Sequence, residues 1–330
     1  MMSVELARPG KHSLTLHTPV MPAAGTFGYG DVYRDLLDIE KLGAIVTNPI
    51  TYEPWSPASG RRVIPLAAGV LMHTGLPNPG LNKVLKRFRN LWLMLPVPVI
   101  VHFVATNENH VRKGAARLDE EEAVAAVELG LSDDIHWQDA EALVAAAVDK
   151  TEKPVIVRVP SQDTFDLAQA AADAGAASVV ISAPPRGTAR DPHTGKLVSG
   201  RVYGPLVKPM ILRMVGQLAR QINIPIIGAG GIHSAQDARD YIDAGAVAVQ
   251  VDSVTWIQPR LLETIGRDLG GMVVTRPTDA LPDEWYDGMG DTEYNEIRQR
   301  RERERVQEER DTRPDNRDKS KNQSEDISTT

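Results

Sequence analysis

The sequence predicts an α/β protein, a (β/α)8 barrel, on three observations. Eight short apolar, β-branched segments recur along the chain with helical patterns between them, and alternation at this spacing builds parallel βα units. Most of the eight are continuous apolar runs, as strands covered on both faces read. The last two carry phosphate-binding features: residues 225–232 read Pro-Ile-Ile-Gly-Ala-Gly-Gly-Ile and residues 246–253 read Ala-Val-Ala-Val-Gln-Val-Asp-Ser. Barrels of this class grip phosphate at their seventh and eighth strands. An open doubly wound sheet competes, but no Gly-x-Gly-x-x-Gly follows the first strand, which favours the barrel.

In order, strands are expected at 20–24, 44–50, 98–104, 125–131, 155–159, 178–183, 225–228 and 246–251. His12 and His17 flank a small hairpin ahead of the first. Helices are expected at 31–42, 81–93, 107–116, 138–150, 163–174, 207–222, 235–244 and 255–268. Asp163 and Thr164 at the start of one helix and Gly175 beyond its end match capping preferences, as does Ser234 before another. Gly230 and Gly231 have no side chains, so their N–H groups can close on a phosphate. Ala174-Gly175-Ala176-Ala177-Ser178 resembles Ala244-Gly245-Ala246-Val247-Ala248, which fits a repeated helix-to-strand unit.

Two connections are long: the proline-rich 51–78 with Arg61 and Arg62, and 184–203 with Arg186, Arg190, His193 and Lys196. Both leave the C-terminal rim, where barrel active sites lie, so a lid or pocket wall is expected. Residues 1–280 are assigned to the barrel and 281–330 to a charged tail. In that tail 293–310 carries i,i+4 ion pairs without an apolar stripe, and 311–330 reads as disordered.

Composition narrows the function. The formal charge of −7 argues against nucleic acid. No apolar run approaches the roughly 18 residues of a membrane span. Residues 1–11 lack the apolar core of a signal peptide, so the cytoplasm is expected. The 330 residues include no cysteine. Thiolate metal sites and Cys nucleophiles are thereby excluded. Proton transfer falls to Asp, Glu, His, Lys or Tyr. The eight histidines form no HxxxH-type pair on an evident helix, and no metal site is expected.

Four motifs carry a family resemblance. Thr18-Pro19-Val20-Met21-Pro22-Ala23-Ala24-Gly25-Thr26-Phe27-Gly28-Tyr29-Gly30 resembles the first strand and turn of the class 1 dihydroorotate dehydrogenases. Gly75-Leu76-Pro77-Asn78-Pro79-Gly80, Tyr203-Gly204-Pro205-Leu206-Val207-Lys208-Pro209 and Gly228-Ala229-Gly230-Gly231-Ile232 with Asp237-Ala238 follow in family order, across about residues 3–270. The resemblance implies an FMN barrel that oxidises dihydroorotate to orotate in pyrimidine synthesis. There a base removes a proton while hydride passes to flavin. It implies FMN against Ala23, Ala24, Asn48, Arg158, Gly204, Gly230, Gly231 and Ser253, and substrate beside Met72 and Ser182. It also implies a homodimer or an electron-transfer partner subunit.

The departures gather in one pocket. The family's catalytic cysteine corresponds to Asp133, which becomes the candidate base. Substrate asparagines correspond to Gly130, Ile135, Met72 and Ser182, and two lysines to Asn48 and Arg158. A Gly-Thr phosphate pair corresponds to Asp252-Ser253. Asparagine amides donate and accept, and these replacements do not reproduce that pattern. A site built on hydrogen bonds loses roughly four or five orders of discrimination when its partners vanish. Asp252 against a phosphate repels by about 4 kcal/mol per charge pair near 4 Å at an effective dielectric of 20, unless it turns outward or pairs with Arg186 or Arg190. The expectation is a divergent FMN oxidoreductase with an altered small-molecule substrate. The alternatives are an inactive relative kept as a scaffold or regulatory subunit, and a non-flavin barrel clamping a phosphorylated metabolite with Arg61, Arg62, Arg186 and Arg190.

Overall fold

The computed structural model describes residues 3–6 and 12–270. The expected charged tail lies outside the described residues. A hairpin of β1 (Val4–Leu6) and β2 (Leu14–Leu16) leads into β3 (Val20–Pro22) and β4 (Ile45–Val46). The first long connection holds β5 (Val63–Leu66) and β6 (Gly69–Met72). Then come α1 (Leu81–Leu93), β7 (Val99–Val104), α2 (Glu108–Asp119), β8 (Ala126–Gly130), α3 (Trp137–Lys150), β9 (Val155–Val159), α4 (Thr164–Asp173) and β10 (Ser178–Ile181). The second long connection holds β11 (Arg186–Arg190) and β12 (Leu197–Tyr203). The chain finishes with α5 (Lys208–Leu218), β13 (Ile226–Ala229), α6 (Ala235–Asp243), β14 (Ala248–Val251) and α7 (Leu261–Leu269).

The eight strands anticipated from the apolar runs form one parallel sheet in the order β3-β14-β13-β10-β9-β8-β7-β4. Its ends meet where the Gly43 N–H donates to the Val20 carbonyl at 2.8 Å, and the barrel closes. A Cβ at Gly43 would sit 2.1 Å from the Thr18 carbonyl oxygen, so only glycine lets the seam come together. Outward residues such as Val101, Val127, Val157, Val179 and Val249 pack with the helices in one buried cluster. Inward residues Met21, Ile100, Ala126, Ile156, Val180, Ile227 and Ala248 form a second. Val4, Leu6, Leu14 and Leu16 of the hairpin belong to that inner cluster, so the hairpin plugs the barrel interior. Side chains alternate along a strand, so the next inward layer is residues 102, 128, 158 and 250. Those are His102, Glu128, Arg158 and Gln250.

The helix expected at 31–42 is absent. The segment runs through turns to a single 3-10 turn, Ile39–Lys41. Its buried apolar residues are Leu37, Ile39 and Leu42, while Val32 and Leu36 face solvent. That spacing does not make a helical stripe. The expected 255–268 helix is split into a 3-10 turn, Ser253–Trp256, and α7, with Pro259, which lacks an N–H, between them. Asp163 precedes α4 but does not cap it; its backbone is left-handed and its side chain makes no cap hydrogen bond. Ser234 does cap α6, accepting from the Asp237 N–H at 3.0 Å.

The two long connections join each other. β5 and β6 form one hairpin, β11 and β12 another, and β6 pairs antiparallel with β12 through Arg201↔Met72 and Tyr203↔Val70. The result is a four-stranded rim sheet ordered β11-β12-β6-β5. Among the described residues no helix is long and apolar enough to cross a membrane.

Candidate functional site

The inward layer above the apolar plug is a closed polar network. Glu128 and His102 are directly opposed across the β7–β8 pair. The His102 Nδ1 lies 2.7 Å from Glu128 Oε1. Arg158 Nη1 donates to the same oxygen at 3.2 Å and to Gln250 Oε1. Gln250 Nε2 donates to Glu128 Oε2. All four residues are buried. Burial alone would push the Glu128 carboxyl up. The Arg158 charge, the His102 hydrogen bond and charge, and the Gln250 amide outweigh burial and hold it down at about 2. Glu128 is thus an anion and accepts only, so His102 Nδ1 carries the proton of that bond. In the neutral imidazole Nε2 is then the free acceptor.

Above this network opens a pocket at the barrel mouth, lined by Ala24, His102, Gly130, Arg158, Arg201 and Tyr203 among others. Gly130 makes room for the imidazole: a Cβ there would lie 2.6 Å from His102 Nε2. The rim sheet supplies the outer wall. Arg201 Nη1 bonds Asp133 Oδ1 at 2.9 Å, and Arg186 Nε stands 3.6 Å from Asp133 Oδ2. One carboxylate oxygen of the expected base is thus hydrogen-bonded to a guanidinium and the other is faced by a second. Burial, with the charge of Asp252, pushes the Tyr203 phenol up to about 12, which keeps it a neutral hydroxyl.

Beside the mouth lies the glycine turn after β13. Gly230 and Gly231 have φ of +135° and +66°, conformations that favour glycine. The Tyr241 hydroxyl donates to the Gly230 carbonyl at 2.7 Å. Lys208 Nζ pairs with Asp237 at 2.6 Å and with Asp240, tying α5 to α6 behind the turn. Asp252 turns inward. Its Oδ1 accepts the Ser253 N–H at 2.5 Å and the Ser253 hydroxyl at 3.1 Å, and the nearby Gly231 N–H favours its charged form. Asp252 therefore neither points outward nor pairs with Arg186 or Arg190. Arg190 bonds the Gly195 carbonyl, Arg61 pairs with Asp191, and Arg62 bonds the Ala58 carbonyl. The anticipated four-arginine clamp is not assembled, since Arg61, Arg62 and Arg190 serve the rim loops.

The family model for dihydroorotate dehydrogenase matches residues 11–272. The chain belongs to the dihydroorotate dehydrogenase family. A relative from Pelobacter propionicus, described as dihydroorotate dehydrogenase B (NAD(+)), catalytic subunit, is 36% identical over 284 residues, covering 81% of this chain and 92% of the relative. The protein of the same description from Geobacter sulfurreducens is 35% identical over 274 residues, covering 78% and 88%. Among solved structures, the Eimeria tenella dihydroorotate dehydrogenase in complex with ferulenol aligns with a TM-score of 0.66 at 20% identity, over 80% of this chain and 83% of that one. That last likeness speaks for the barrel alone.

Dihydroorotate dehydrogenases are FMN flavoproteins, and the residues expected to hold the cofactor are distributed as follows. Ala24 and Arg158 line the mouth pocket. Ala23 is buried, its N–H bonded to the Val251 carbonyl at 2.8 Å. The buried Asn48 Oδ1 has no hydrogen-bond partner among the described residues. Gly204 adopts φ +136°, and a Cβ there would meet the Ala68 carbonyl oxygen at 2.4 Å. Its glycine thus serves the passage of the rim hairpin. The glycine backbone suits a phosphate; the mouth cavity of about 80 Å³ is well below the roughly 300 Å³ of a cofactor-sized site, and the Asp252 carboxylate among the phosphate donors opposes the cofactor. Of the expected substrate residues, Met72 sits on the rim sheet opposite Arg201. Ser182 is buried, its hydroxyl donating to the Ala183 carbonyl at 2.8 Å. His102, Gln250, Arg201 and Tyr203 were not anticipated as site residues. His102 and Gln250 each interrupt an otherwise apolar strand, which is their signal; Arg201 and Tyr203 lie on the mixed β12, where composition gives none.

Proposed function

We propose that this chain is an FMN oxidoreductase of the dihydroorotate dehydrogenase type whose substrate is not dihydroorotate. The observation that carries the reading is the pairing of Gly130 with His102. The space above β8 holds an imidazole backed by a buried carboxylate, where the resemblance expects an asparagine amide. FMN, when bound, supplies the hydride acceptor. Every other element belongs to the chain. His102 Nε2 faces the mouth and can take a substrate proton, and Glu128 holds the imidazole in the required tautomer and stabilises its cation. Arg158, paired with Glu128 at the floor of the pocket, would lie beneath a bound ring and favour negative charge on it when reduced. Arg201 and Arg186 hold Asp133 in the wall of the pocket. Family membership and the glycine turn support the cofactor. The names of the relatives, catalytic subunits of an NAD-linked enzyme, support an electron-transfer partner subunit.

An inactive scaffold is the second reading, favoured by the Asp252 carboxylate in the phosphate place. The absorption spectrum of freshly purified full-length protein separates the two. A flavin band, with FMN released on heat denaturation, is the expected result. Protein that stays colourless after incubation with excess FMN would support the scaffold and overturn the flavoenzyme.

A further inference from the structure

The phosphate end of the barrel already holds a carboxyl group, and the chain supplies it. The Ser253 N–H and the Ser253 hydroxyl both donate to one carboxylate oxygen, and the Gly231 N–H beside it favours the charged form. His233 stands behind them, its Nε2 3.2 Å from the Ser253 hydroxyl. Asp252 is 2% exposed, so water does not satisfy those donors. Helix starts and glycine turns present such N–H groups to phosphates in other barrels. Here the same geometry closes on a side chain one peptide away.

We propose that Asp252 is a tethered substitute for a phosphate monoester: its carboxylate fills the glycine cradle, and a phosphoryl ligand binds there only by displacing it. This rests on the proposed function only in taking the cradle as the phosphate end of the site. The device has two consequences. The fold does not need a bound phosphate to satisfy its buried donors, since an unmade buried hydrogen bond is costly. A dianionic ligand must also overcome the carboxylate's charge at short range in a poorly hydrated place. Burial pushes the Asp252 carboxyl up, with the Ser253 and Gly231 hydrogen bonds and the His233 charge pulling the other way. The carboxylate is thus held less comfortably than a solvated one.

The test compares the full-length protein with Asp252→Gly and Asp252→Asn. Inorganic phosphate is followed by thermal shift and FMN by fluorescence titration. In chloride buffer Asp252→Gly is expected to melt below wild type, and phosphate to restore much of the loss while leaving wild type nearly unmoved. FMN is expected to bind Asp252→Gly on the order of a hundredfold more tightly than wild type. Asp252→Asn keeps the shape without the charge and should move in the same direction, which covers the case of a poorly folding glycine variant. Equal response of all three proteins to phosphate and FMN would overturn the proposal. If the variants take up phosphate but not FMN, the tethered anion stands and the flavin reading falls. If wild type binds FMN as tightly as the variants, the flavin reading stands and the tethered anion falls.

Discussion

Replacing Glu128 with alanine is expected to destabilise the protein by about 3–5 kcal/mol, because it strands a buried guanidinium. Arg158 is buried and its partners are Glu128 and Gln250. Without the carboxylate the charge of Arg158 has no counterion in the interior, and His102 loses the acceptor at 2.7 Å. A double variant, Glu128→Leu with Arg158→Met, removes both charges and should cost less than the single change, since an apolar pair of similar volume is often neutral in place of a buried ion pair. Denaturant melts of the three proteins check this. The same network sets a pH dependence. The Glu128 carboxyl is held at about 2, below its ordinary 4.5. A depressed carboxyl contributes stability that is fully present above the unfolded value and is lost as the folded group protonates. Acid should therefore weaken wild type progressively between about pH 4.5 and pH 2, more steeply than the double variant.

Replacing His102 with asparagine is expected to slow reduction of the bound flavin by about 100- to 10,000-fold, the usual worth of a positioned general base. The comparison is made with whichever compound reduces the wild type, by anaerobic stopped-flow at the flavin band. Asp133→Asn is the matched control. Its carboxylate is engaged by Arg201 at 2.9 Å and faced by Arg186, so the variant should change the rate by less than about tenfold. Asparagine at 102 still leaves Glu128 the Arg158 and Gln250 donors. A loss confined to Asp133→Asn would reverse the two assignments.

The barrel was legible because its strands are covered on both faces. Continuous runs such as Val-Ile-Val at 99–101 and at 155–157 have no solvent side to mark with polar residues. The glycine turn was legible because positive φ at Gly230 and Gly231 restricts the residue type. The rim sheet was not, since β6 pairs with β12 across more than a hundred residues and neither connection alternates cleanly. The polar layer escaped for a different reason. His102, Glu128, Arg158 and Gln250 each look like a strand interruption, and only strand register shows that they share one level. Asp252 was read as a charge beside a phosphate. The backbone at that residue, with φ −99° and ψ −108°, turns it into the cradle instead, and local composition does not encode that direction.

The proposal that this dihydroorotate dehydrogenase family member acts on a substrate other than dihydroorotate is tested most directly by anaerobic titration of the flavin-loaded protein with dihydroorotate. The flavin band is expected to keep its oxidised absorbance through a large excess of the compound, while dithionite bleaches it. Prompt bleaching by dihydroorotate with orotate formed in equal amount would contradict the account.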